Sequence, residues 1–69
     1  MPTLRYLRLS ANLTKRQLAE MAGIDYKTLL RADRGMPIME RNLVKLLKAL
    51  NEHLGTQYTL ADIVEDDKG

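Results

Sequence analysis

The apolar positions of this chain fall into short helical stripes separated by glycine and asparagine. The sharpest punctuation lies between Leu13 and Gly35, LTKRQLAEMAGIDYKTLLRADRG. Thr14 is placed to cap a helix, and Gln17 three residues on completes a capping box. Leu13 and Leu18 flank that cap as a hydrophobic staple. Gly23 supplies the left-handed backbone that ends the helix. Asp25 then caps a second helix, Ile24 and Leu29 repeat the staple, and Gly35 closes it. The spacing predicts helices over about 15–22 and 26–33 with a tight turn between them, a helix-turn-helix.

The flanking stretches read the same way. Residues 3–11 form a first helix, capped by Thr3, with Leu4, Leu7, Leu9 and Ala11 as apolar positions that cannot all face one side. Asn12 sits where a non-glycine residue most readily turns left-handed. Within the pair, Leu18 and Ala22 point inward, and the small Ala19 lets the next helix approach. Pro37 bars helix continuation, so 36–39 is a loop. A fourth helix follows over about 39–51, with Leu43, Leu46, Leu47 and Leu50 as its buried stripe, Val44 at the edge, and Lys45 and Lys48 outward. Gly55 marks a turn. Tyr58, Thr59, Asp62 and Ile63 repeat the staple and cap, predicting a short helix over 59–64. Residues 65–69, EDDKG, are expected to be a disordered acidic tail. The fold class is all-α: a compact bundle of four to five short helices, one domain over 1–64.

Composition narrows the chemistry. The chain has 69 residues, enough for one small core, and its three aromatics are all tyrosine, so Leu, Ile, Val and Met must fill the interior. The absence of cysteine removes a disulfide framework and a thiolate zinc site. It suits a reducing cytosol, and with no signal-peptide pattern and no membrane-length apolar run a cytoplasmic location is expected.

Charge is uneven. Residues 1–48 carry ten Lys or Arg against four carboxylates, a balance of +6, whereas 49–69 carry a balance of −4. A basic body suggests a polyanionic partner, although a solvated surface with a charged end fits the count equally well. Position decides more than count. At ~100° per residue, Leu29 and Ala32 of the 26–33 helix point inward, with Asp25 and Thr28 on the flank. Tyr26, Lys27, Leu30, Arg31 and Arg34 occupy one outer arc without a carboxylate. A merely solvated face usually mixes both signs.

Residues 8–50 resemble the helix-turn-helix domains of the phage Cro and repressor family, also called lambda-repressor-like or XRE. The resemblance is carried by Leu13, Thr14, Leu18, Ala19, Gly23, Ile24, Leu29, Asp33, Gly35 and the run Lys48-Ala49-Leu50. It implies a transcriptional regulator of repressor type that inserts the 26–33 helix into the major groove of double-stranded DNA. Tyr26, Lys27 and Arg31 then match base-reading positions, and Thr28 reaches a base or a phosphate. Lys27 and Arg31 can donate to guanine O6 and N7; Tyr26 can hydrogen-bond or pack on a thymine methyl. Leu30 reads as an exposed surface leucine, with a thymine methyl as its other possible contact. Lys15, Arg16, Arg34, Arg41 and Asn42 are phosphate candidates.

The resemblance also implies a pair between Arg8 and the acid before Gly35. Relatives carry glutamate there; this chain has Asp33, one methylene shorter, which predicts a looser or water-bridged pair. Lys15 replaces a frequent glutamine. Ala22 and Ala32 are smaller than the family's usual occupants, and Met21, Met36 or Met39 is expected to fill the space. One unit reads half a site, so a homodimer on a near-palindromic operator is expected. Leu54, Tyr58 and Leu60 are the candidate dimer anchors.

Competing functions are thinly supported. His53 is the single histidine, read as a surface residue at the end of the fourth helix, and no catalytic constellation, metal-ligand cluster or phosphate-binding glycine loop accompanies it. No enzyme activity, cofactor, metal or small-molecule effector is therefore expected. A protein-interaction module of the same fold, antitoxin-like or partner-binding with weak or no DNA binding, is the alternative. It predicts an acidic or apolar outer face on the 26–33 helix, which this chain lacks apart from Leu30.

Overall fold

The structure is a computed structural model that describes residues 3–63. It contains four α-helices, α1 Leu4–Ser10, α2 Lys15–Ala22, α3 Tyr26–Asp33 and α4 Glu40–Leu54, followed by a 3-10 turn at Leu60–Asp62. There is no strand among the described residues.

Local chemistry sets the boundaries. Thr3 Oγ1 accepts the Tyr6 N–H at 3.0 Å and starts α1. At α2 the capping box forms in both directions: Thr14 Oγ1 accepts from Gln17 N at 3.0 Å, and Thr14 N donates to Gln17 Oε1 at 2.8 Å. Asp25 caps α3 by accepting from Thr28 N at 3.3 Å. Gly23 ends α2 at φ +70°, and Asn12 takes φ +62° in the turn before it. The bounds of α2 and α3 thus follow from residues already visible as caps.

Five leucines contributed by all four helices, Leu7, Leu18, Leu29, Leu46 and Leu50, form the fully buried centre. Each contributes roughly 1.5–3 kcal/mol of burial. α2 packs against both α3 and α4, and α1 bridges α3 and α4, so α3 is held on two sides and free on the third. On α1 the conflict among four apolar positions is resolved by turning Leu9 outward, where it is 59% exposed.

Several expectations are corrected. α4 extends to Leu54, because nothing before Gly55 at φ +70° breaks it. His53 therefore lies in its last turn, and its Nε2 donates to the Ala11 carbonyl at 3.2 Å, tying α4 to the end of α1. The expected helix over 59–64 shrinks to the 3-10 turn, held by Asp62 Oδ2, which accepts from the Thr59 N–H at 2.8 Å and the Thr59 hydroxyl at 3.1 Å. Asn51 organises this segment. Its Oδ1 accepts from Tyr58 N at 2.9 Å and Thr56 Oγ1 at 2.8 Å, and its Nδ2 donates to the Tyr58 carbonyl at 2.9 Å. That closed ring of bonds folds the chain back along α4 without a further helix. Met21, Met36 and Met39 are exposed rather than buried; Met21 borders a cleft with Ala22 and Met36 one with Ala32, without filling the core. Ile38 and Ile63 pack against the core instead. The tail 65–69 and the last position of the expected helix, Val64, lie outside the described residues.

Candidate nucleic-acid interface

The free side of α3 carries the cations. Tyr26, Lys27, Arg31 and Arg34 are exposed, Tyr26 at 37%, with one face of its ring under Arg16. Thr28 is half-buried, held at the first turn by its N–H bond to Asp25. Thr28 and Arg31 line a shallow cleft with Pro37, Ile38, Met39 and Asn42. This cleft brings the α3 base-reading candidates beside the start of α4, where Arg41 is exposed and Asn42 half-buried. Arg31 Nη2 donates to the Pro37 carbonyl at 3.4 Å, a long bond that leaves its other donors available.

Leu30 differs from expectation. It is half-buried rather than exposed, and it stands outside the core cluster. The outer arc therefore presents tyrosine and cations with no bare leucine among them.

The carboxylate that α3 does carry is removed from this surface. Asp33 is 5% exposed and Arg8 8%. Arg8 Nε donates to Asp33 Oδ1 at 2.8 Å and Nη2 to Oδ2 at 3.4 Å, while Nη1 reaches the Leu13 carbonyl at 2.9 Å. The contact is direct, not water-bridged, despite the shorter acid. Arg5 adds a second cation, its Nε 3.5 Å from Asp33 Oδ2. Sequence reading passes over Arg5, although it lies three residues before Arg8 and so on the same side of α1. Asp33 is thereby neutralised from inside, and α3 faces outward with positive charge alone.

On α2, Lys15 is half-buried at the first turn and Arg16 is exposed. The Arg16 guanidinium lies over the Tyr26 ring, 4.7 Å from its centroid, so the first turn of α2 touches the first residue of α3. Leu54, Tyr58 and Leu60 are half-buried and pack against the domain's own core. Among the described residues there is no group of three or more His, Asp or Glu able to hold a metal ion, and no helix long and apolar enough to cross a membrane.

Two capped helices at a tight turn, the second one free on its basic side, define a helix-turn-helix unit. A helix-turn-helix family model matches residues 4–57, most of the chain, and the chain belongs to that family, in its lambda-repressor-like branch. It is a DNA-binding domain of the transcription-regulator type. Comparison with curated proteins and with solved structures finds no match.

Proposed function

We propose that this protein is a sequence-specific repressor that binds its operator by laying α3 in the major groove and that it acts by occupancy rather than catalysis. The supporting observation is the outer face of α3, where Tyr26, Lys27 and Arg31 stand exposed together and the helix's own carboxylate is turned inward onto Arg8. In this reading Tyr26, Lys27 and Arg31 meet base edges, and Thr28 meets a base or the adjoining phosphate. Lys15, Arg34, Arg41 and Asn42 surround that face and hold the two phosphate backbones. Arg16 stands at the same rim.

A domain of this size spans half an operator, so we propose a homodimer on a near-palindromic site. Tyr58 and Leu60 line a shallow cleft with Val44 of α4, which is 47% exposed, and this strip, with Leu54, is the proposed contact. A reducing, cytoplasmic setting suits a cysteine-free DNA-binding domain.

The test is selection of bound sequences from random duplexes by the purified protein. An enriched motif with inverted symmetry is expected, its half-sites about one helical turn apart. Failure to enrich any motif, with no salt-dependent binding to duplex DNA, would instead favour a protein-interaction module.

A further inference from the structure

We propose that Arg16 is a positioning residue for Tyr26, setting base preference through the ring it covers. This rests on the reading of α3 as the base-reading helix. It departs from the assignment that sequence suggests, in which Arg16 is one of several phosphate anchors.

The backbones of both partners are set by caps before DNA arrives. Arg16 is the second residue of α2, within the turn locked by the Thr14–Gln17 capping box. Tyr26 is the first residue of α3, directly after the Asp25 cap. The guanidinium lies over the ring at 4.7 Å, and among the described residues the ion pairs are those of Arg5 and Arg8 with Asp33, so Arg16 sits on the ring rather than on a described carboxylate. Tyr26 retains 37% exposure. One ring face is occupied by the cation; the exposed remainder is what a base can meet. With one face taken, Tyr26 is not available to stack with both faces between bases. A side chain already held in one orientation loses less freedom on binding. The cation–π contact itself corresponds to about two- to fivefold in a population or affinity at an exposed site.

A phosphate anchor and a positioning residue give different signatures. Loss of a phosphate contact weakens all sequences alike and flattens the salt slope by about one unit. Loss of a positioning contact concentrates at the base pair read by Tyr26 and leaves the salt slope nearly unchanged.

The experiment measures binding of wild type, Arg16→Ala, Arg16→Lys, Tyr26→Ala and the Arg16→Ala/Tyr26→Ala double variant. Fluorescence anisotropy is read on the selected operator and its single-base variants, at several salt concentrations. Circular dichroism confirms helix content in each; alanine at this exposed helical position favours the fold. The expected result is a two- to fivefold loss for Arg16→Ala on the operator, flattening the preference at the base pair to which Tyr26→Ala is most sensitive. The double variant binds no worse than Tyr26→Ala, and Arg16→Lys, which keeps a cation to place over the ring, recovers part of the preference. A uniform loss across all duplexes, with a shallower salt slope and additive effects in the double variant, overturns the positioning role and leaves the major-groove reading intact. A wild-type protein with no base preference overturns both.

Discussion

Arg8 and Asp33 lie 25 residues apart in sequence and meet at 2.8 Å in the interior, joining α1 to the last residue of α3. The same guanidinium holds the Leu13 carbonyl in the turn before α2. One side chain therefore fixes the end of α3 and the approach to α2. The pair also neutralises the one carboxylate of α3, which helix periodicity already places off the face that carries Lys27 and Arg31.

Breaking this pair from one side is expected to be costly. Arg8→Ala leaves Asp33 buried with only the exposed Arg5 beside it, 3.5 Å away. A loss of roughly 3–5 kcal/mol is expected, as for removal of one partner of a buried pair, measured by urea unfolding. Replacing both partners by apolar residues of similar volume, Arg8→Met with Asp33→Leu, is expected to recover much of that loss. A single variant as stable as wild type would show that the pair contributes nothing.

The turn of the helix-turn-helix depends on backbone chirality rather than on space. Gly23 sits at φ +70°, and a Cβ there would meet nothing within 4 Å. Gly23→Ala is therefore expected to cost about 1–2 kcal/mol through left-handed strain alone. Thermal unfolding followed by circular dichroism reads this as a lowered midpoint with helix content retained below it.

Arg31 and Lys15 are expected to fail in different ways. Arg31→Ala loses discrimination at one base position, worth ~1–3 kcal/mol, in a repeat of the duplex selection. An unchanged motif would remove Arg31 from the reading set. Lys15→Ala weakens every duplex alike and lowers the salt slope by about one unit, seen in titrations at several salt concentrations.

The segment after α4 hangs on Asn51. Asn51→Ala removes three side-chain hydrogen bonds to Thr56 and Tyr58, and a loss of about 1–3 kcal/mol is expected. Amide exchange should quicken at Tyr58, whose N–H loses its acceptor, more than at Leu29 or Leu46 in the core.

What was legible in the sequence was whatever local chemistry decides. The caps Thr14 and Asp25 and the left-handed Gly23 place α2 and α3 to the residue, and the outward set Tyr26, Lys27, Arg31 and Arg34 follows from α3 periodicity. Contacts between side chains of separate elements were harder to read. Periodicity puts Arg16 on the outside of α2 but does not say that Tyr26 waits beneath it. It puts Leu30 on the outer arc yet does not show that its neighbours half-cover it. Asn51 looks like one more polar residue on α4 until the chain turns back at Gly55 and Tyr58 comes within reach. The methionines stay exposed for a related reason: near Ala32 the core contact is made by Ile38 and Ile63, from the loop before α4 and the segment after it, leaving Met36 at the rim.

The central claim is that α3 reads the major groove, and interference by guanine N7 methylation in the selected operator tests it most directly. N7 faces the major groove and is the acceptor that Lys27 and Arg31 would use. Methylation at one or two guanines per half-site is predicted to block wild-type binding, and Arg31→Ala is predicted to lose the sensitivity at one of them. Binding indifferent to N7 methylation at every guanine of the site would contradict a guanine-reading α3.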